Sequence, residues 1–267
     1  MARYLKWSER SCMQRVIEAE WLDELSPDDE GAAGSRKDLQ RLNAWMGSAR
    51  RLANSLRTAL DSGARCRLAD LGGGDGRCFL NTARRLKTPA RAGQVTIVDR
   101  QNIVSTQTQL SLQDCGWEVR VAQADVFAWL RQQNNQVWDI IVTNLFLHHF
   151  NDEQVSRFLG GVSKITRMFV ALEPRRSRLA LAFSRCVGLL GCNHVTRHDA
   201  PASVRAGFSE KDLSRLWPRD ENWALAEHRA GWFGHVFVAR CTKPPCLDHA
   251  RSDTDGTETK ALAPALS

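Results

Sequence analysis

The stretch Cys66–Leu80, CRLADLGGGDGRCFL, decides the fold. An apolar run reaches Asp70 and Leu71, a glycine-dense turn follows, and Cys78, Phe79 and Leu80 resume at helical spacing, so the chain reads strand, turn, helix. Gly72, Gly74 and Gly76 follow Asp70 at alternate positions. A residue without a Cβ can adopt positive φ and lets a ligand approach the backbone closely. The pattern is DxGxGxG and not the GxGxxG that surrounds a dinucleotide pyrophosphate. It predicts a nucleotide-binding turn.

Outward from this turn the chain alternates between β and α patterns. Strands are predicted at 66–71, 94–99, 118–122, 137–143 and 167–172, with helices at 77–86, 102–114 and 152–165, and two further strands at 223–229 and 232–240. Such alternation implies an α/β fold with a doubly wound, seven-stranded, mostly parallel sheet, in which ligands bind beyond the carboxyl ends of the strands. Three strand ends carry suitable polar residues. Asp99 closes the second strand, 23 positions after Gly76, where a carboxylate can accept both hydroxyls of a ribose. Asp125 follows the third strand in VAQADVF, placed to accept an adenine amine while Val126 covers the ring. Asn144 ends the fourth strand, VWDIIVTNLFLHHF, ahead of His148 and His149. Either acid alone would serve equally as a helix N-cap.

The DxGxGxG turn with acids at the next two strand ends resembles motif I and its partners in class I S-adenosylmethionine-dependent methyltransferases, over residues 62–175. The resemblance implies a Rossmann-like fold with S-adenosylmethionine as cofactor. Asp70, Gly72, Gly74 and Gly76 would then hold its methionine part, Asp99 its ribose, and Asp125 and Val126 its adenine, with Asn144 among the cofactor contacts. Methylases of nucleobase amines carry an (N/D/S)PP(Y/F) turn after the fourth strand, and Asn144–His149, NLFLHH, lacks it. This ending resembles small-molecule methyltransferases, including quinone-biosynthesis and secondary-metabolite types. The expected reaction is therefore methyl transfer to an oxygen or carbon of a small acceptor of aromatic, polyketide-like or prenylated type. His148 or His149 is a candidate base for a phenolic or enolic acceptor. The competing role is packing against the cofactor or capping the next helix.

Before the turn, residues 1–60 read as a helical cap. Met13, Val16, Ile17, Trp21, Leu22 and Leu25 fall at helical spacing, and Leu39–Leu56 forms a second run. The S-adenosylmethionine-binding domain is expected at 61–242 and a disordered tail at 243–267. After the fifth strand an apolar stretch, 179–191, suits a buried helix, a greasy tunnel wall or peripheral membrane contact. The polar segment NHVTRHDAPASVRAGF is expected to be a loop roofing the acceptor pocket, with Arg197, His198 and Arg205 as candidate substrate contacts. Ser209 and Asp212 form a capping-box pair opening a further helix. His198 beside Asp199 suggests a metal only weakly, because no matching ligand set is visible in the sequence, and no metal is expected.

The chain has 267 residues, 43% of them hydrophobic and 25% charged, as in globular domains. Its formal charge of +7 permits nucleic acid as a partner, but the basic residues form no run of five, which favours a solvated surface. Eight cysteines without a CxxC pair argue against a zinc site and a disulfide framework. The first residues lack a signal-peptide core, and no stretch reaches the ~18 apolar residues of a membrane span, so a cytoplasmic location is expected. Two other functions compete: an RNA or protein methyltransferase, and a non-catalytic binding protein keeping the cofactor fold.

Overall fold

The computed structural model describes residues 13–26, 28–60, 65–86, 93–133 and 136–243. The expected tail beyond Lys243 and the first twelve residues lie outside them.

Seven strands form one sheet: β1 (Cys66–Leu71), β2 (Gly93–Asp99), β3 (Trp117–Gln123), β4 (Trp138–Asn144), β5 (Thr166–Pro174), β6 (Trp223–Ala230) and β7 (Gly234–Cys241), in the order β3-β2-β1-β4-β5-β7-β6. The first five pair in parallel, and β7 runs antiparallel between β5 and β6. This is the Rossmann-like methyltransferase architecture that the sequence predicts, with strand boundaries within two residues, while the helix expected at 102–114 starts at Thr106.

The sheet is covered on both faces, which is why its parallel strands are nearly continuous apolar runs. On one side Leu68, Val95 and Ile97 pack with Phe79 and Leu80 of α4 (Arg77–Leu86), Leu112 of α5 (Thr106–Asp114) and Leu52 and Leu56 of α3 (Ser48–Leu60). On the other, Leu71, Val98, Ile141 and Phe169 meet α6 (Val126–Gln132) and the Val155, Phe158, Leu159 and Val162 stripe of α7 (Asp152–Ile165). Strand order reverses between β1 and β4, so their carboxyl ends diverge and open a cleft there.

Four sequence expectations change. Residues 13–20 are not helical, and the first helix, α1, covers only Trp21–Glu24. Distant bonds hold this segment extended: Arg15 Nε donates to the Ala206 carbonyl at 2.7 Å and its Nη2 to Phe150 at 2.8 Å, while Arg176 Nε donates to Met13 at 2.7 Å. These tertiary bonds outweigh helical spacing. The run 39–56 is broken at Gly47, whose φ of 70° ends α2 (Glu30–Met46) ahead of α3. The polar segment expected as a loop is a helix, α9 (His194–Ala206), despite Pro201. Asn193 caps it by accepting from Thr196 N–H at 2.9 Å, and Val195, Asp199, Ala202 and Ala206 give it a buried face at helical spacing. The helix expected to open at Ser209 starts at Asp212 (α10, Asp212–Leu216), with the Asp212 carboxylate reaching back to accept from Ser209 N–H at 2.8 Å.

The apolar stretch after β5 forms α8 (Arg178–Ser184) and a 3-10 turn, Val187–Leu190. It is only partly buried: Ala180 and Val187 are inside, whereas Leu189 is 87% exposed.

Candidate functional site

A cavity of about 700 Å³ opens at the carboxyl ends of β1, β2 and β4, beneath α2 and α8. Its floor is the glycine turn. Gly72 N–H donates to the Val98 carbonyl at 2.8 Å, tying the turn to β2. Gly72 has φ 70°, and a Cβ there would lie 2.1 Å from the Phe146 ring, so only glycine lets the turn after β4 close over it. Gly74 has φ 55°, and a Cβ there would meet nothing within 4 Å because this position borders the cavity.

Asp99 stands beside the turn. Its Oδ2 accepts from Gly74 N–H and its Oδ1 from Gln101 N–H, both at 2.9 Å. Asp125 caps α6 through Oδ1 and Ala128 N–H at 2.9 Å, and lines the cavity together with Val126. At the end of β4, Asn144 Oδ1 is buried without a hydrogen-bond partner in a residue that lines the cavity. The following Leu145 takes φ 52°, a strained conformation for a leucine of the kind that gathers at ligand sites. Gln40 of α2 reaches down to Asp75 Oδ2 at 2.6 Å, joining the helical cap to the glycine turn.

Asp70 and Gly76 lie behind the turn and not on the cavity wall. Asp70 is 3% exposed. Burial, reinforced by the charges of Asp99 and Asp75, pushes its carboxyl up to about 7. A carboxyl raised on folding contributes stability that is intact below its ordinary range near pH 4 and is lost as pH rises through 7. Asp70→Asn is therefore expected to gain on the wild type between pH 5 and pH 8, by on the order of 1–3 kcal/mol at the upper end. Melting temperatures at both pH values check this; an equal gap at the two would refute it.

The sequence pair His148 and His149 forms a 3-10 turn, Leu147–His149, with His148 buried. The decisive neighbour is Glu173 of β5, fully buried. Its carboxylate accepts from Phe146 N–H at 3.1 Å and Leu147 N–H at 2.9 Å, and Oε2 sits 2.8 Å from His148 Nδ1. On the other side, His148 Nε2 lies 3.3 Å from Glu20 Oε1. Burial alone would lower the His148 imidazole, but the hydrogen bonds and charges of Glu173 and Glu20 carry it to about 10. Nδ1 is thus committed to Glu173, while Nε2 faces Glu20 at the cavity wall. His149 is less buried, with Nδ1 3.1 Å from Asp23 Oδ2.

The three candidate substrate contacts on α9 are absent from the cavity wall. Arg205 pairs with Glu18, and His198 stacks on Trp21 with ring centroids 3.8 Å apart while its Nδ1 meets Asp199 at 2.8 Å. Arg197 packs near Gly188. Because this segment is a helix, it presents these side chains to residues 18–21 and to the turn near Gly188, and gives the cavity Ala200, Ser203 and Val204 instead. That wall also carries an aromatic group, beside Arg50, Arg51 and Ser184: Trp45 stacks on Phe183 at 4.9 Å, and Phe233 closes on Phe183 at 4.6 Å. Sequence reasoning misses Glu20, Asp23, Trp45 and the role of Glu173, whose partners lie far away along the chain.

Comparison with known proteins agrees with this geometry. Residues 68–168 match the family model described as a methyltransferase domain. An O-methyltransferase family protein from Burkholderia thailandensis is similar in structure at 16% identity and TM-score 0.53, the match covering 80% of this chain and 61% of that one. The plantazolicin methyltransferase BamL, solved with a triazolic desmethylPZN analog and SAH, superposes at 11% identity and TM-score 0.57, over 81% of this chain and 92% of its own. The plantazolicin methyltransferase BpumL, solved with SAH, gives 11% identity and TM-score 0.54, over 80% and 91%. No curated protein sequence matches. Residues 68–168 thus carry the match to a methyltransferase domain, on a fold shared with these methyltransferase structures.

Proposed function

We propose that the chain transfers a methyl group from S-adenosylmethionine to an oxygen or carbon of a small, largely apolar acceptor bound beneath α2 and α8. The observation that carries this reading is the division of one cavity into two ends. Gly74, Asp99 and Asp125 form a polar end at the strand tips, and Trp45, Phe183, Val187 and Phe233 form an aromatic end beneath α2 and α8. About 700 Å³ is in the upper part of the range for ligand clefts and gives room for cofactor and acceptor together.

The residues present fit the cofactor. Gly74 leaves the space a Cβ would fill, and Asn144 Oδ1 awaits a donor. Asp99 offers a carboxylate to a ribose, and Asp125 offers one to an adenine amine while Val126 covers the ring. S-adenosylmethionine supplies an electrophilic methyl, which an acceptor takes by in-line displacement. The protein's share is positioning: a dry, shaped cavity holds the acceptor against the methyl in contact geometry. A strong base is not required for an ionised or readily ionised acceptor. The aromatic wall selects planar or prenylated molecules by area and stacking.

Gly74→Ala probes the polar end. Alanine at φ 55° costs about 1–2 kcal/mol of stability, and its methyl occupies cofactor space, so affinity for S-adenosylhomocysteine is expected to fall roughly 10–100-fold, about 1.4–2.8 kcal/mol. Calorimetry and melting together check this; unchanged affinity would move the cofactor elsewhere. The reaction class is tested by labelled methyl transfer to separate pools of phenols, prenylated quinols, structured RNA and peptides. Label in the small-molecule pools alone is the expected result. Salt-sensitive labelling of RNA would favour the nucleic-acid reading, and cofactor binding without label in any pool would favour a non-catalytic protein.

A further inference from the structure

We propose that Glu20, His148 and His149 form a binding site for one divalent transition-metal ion on the acceptor side of the cavity. One ring nitrogen of each histidine and a carboxylate oxygen of Glu20 all lie within 4.8 Å of one another. The three residues line the cavity, so an ion they hold has coordination positions open to a bound molecule. Two imidazoles and one carboxylate with open positions is the donor set of catalytic zinc and of related first-row metals.

The surroundings of the two rings distinguish this cluster from a chance meeting of polar groups. A metal-binding imidazole usually directs its other nitrogen to a carboxylate or carbonyl, which fixes the tautomer and aims the ligating nitrogen. His148 has this arrangement, and His149 has a carboxylate partner of its own. His148 Nδ1 lies 2.8 Å from Glu173 Oε2, and Glu173 is itself fixed by the Phe146 and Leu147 amides. His149 Nδ1 lies 3.1 Å from Asp23 Oδ2. The Nδ1 proton of His148 is thereby fixed toward Glu173, and Nε2 faces Glu20 Oε1 at 3.3 Å. That separation is long for an N–H···O bond, about 2.7–3.2 Å, and matches two ligands of one ion bound at about 2.1 Å each in tetrahedral geometry. Three carboxylates, Glu20, Asp23 and Glu173, face the two imidazoles, with Arg15 near Glu173 and Arg100 near Asp23 as the opposing charges, so a bound cation sits among carboxylate oxygens.

Adjacent His198 and Asp199 offer no ligand set in the sequence, whereas the ligands here come from residue 20 and from residues 148–149. The use of the ion rests on the methyl-transfer reading. A hydroxyl of the acceptor bound to it loses its proton to water more readily. The oxygen pair then forms the bond to the methyl carbon, and the carbon–sulfur pair stays on sulfur. This assigns the two histidines to holding and acidifying an oxygen acceptor, and it favours acceptors with a chelating pair of oxygens.

The test uses untagged full-length protein, stripped with chelator and titrated with Zn²⁺ or Co²⁺ alone. One equivalent is expected at micromolar affinity or tighter, with Co²⁺ giving the visible bands of a four- or five-coordinate nitrogen and oxygen site. His149→Ala and Glu20→Gln are each expected to weaken binding by at least 100-fold, and Asp23→Asn, which removes only an orienting group, by about 10-fold. No binding to the folded wild type, or binding unchanged in both His149→Ala and Glu20→Gln, would overturn the proposal. Titration of the stripped protein with S-adenosylhomocysteine keeps the two readings apart: cofactor bound without metal binding removes the metal site and leaves the methyltransferase reading standing.

Discussion

Asp99→Ala is expected to weaken S-adenosylmethionine binding by about 100–1,000-fold while the protein stays folded. The cause is local. The Asp99 carboxylate ends β2 at the cavity wall, with one oxygen beside Gly74 N–H and the other beside Gln101 N–H. A ribose diol placed there donates two charge-assisted hydrogen bonds, each contributing about 1.5–2 kcal/mol, the lower part of the charged range, and their loss gives the stated factor at about 1.4 kcal/mol per tenfold. The core does not depend on this side chain, so the melting temperature should fall by no more than a few degrees. Asp99→Asn, which keeps one acceptor oxygen, should fall between wild type and alanine. Calorimetric titration of the three proteins decides the matter, and an alanine variant within threefold of wild type would remove Asp99 from the cofactor site.

The second large effect falls on stability. Glu173→Ala deletes a fully buried carboxylate that receives the amides of Phe146 and Leu147 and faces the His148 ring. Alanine leaves those donors without an acceptor and a buried imidazole without its counter-charge, at a cost of about 3–5 kcal/mol. For a chain of this size that corresponds to roughly 6–20 °C in melting temperature. Glu173→Gln retains the shape and one acceptor oxygen, so its loss should be about half as large. Thermal melts of both variants test this; an alanine variant melting within 2 °C or so of wild type would mean that the turn after β4 is held by other contacts.

The sheet was legible because its strands are buried on both faces and so announce themselves as short apolar runs bounded by glycine and acids. Asp99, Asp125 and Asn144 were legible for a related reason: a parallel sheet presents strand ends at one edge, and a polar residue closing each run lies where a ligand binds. The acceptor side was not. Arg15 finds Ala206 and Phe150, Glu20 finds His148, and Glu173 reaches back to Phe146. No local pattern encodes pairings across such separations. Pro201 and the polar run NHVTRHD concealed α9, although Asn193 as cap and the spacing of Val195, Asp199, Ala202 and Ala206 were present in the sequence. Because that segment is a helix, Arg197, His198 and Arg205 lie off the cavity wall, which Glu20, His148 and His149 line instead.

The cavity at the tips of β1, β2 and β4 is proposed as the S-adenosylmethionine site. Isothermal titration of the purified chain with S-adenosylmethionine, and separately with S-adenosylhomocysteine, tests it most directly. Saturable micromolar binding of each is expected, one per chain, with the two competing. A folded protein that takes up neither would contradict it.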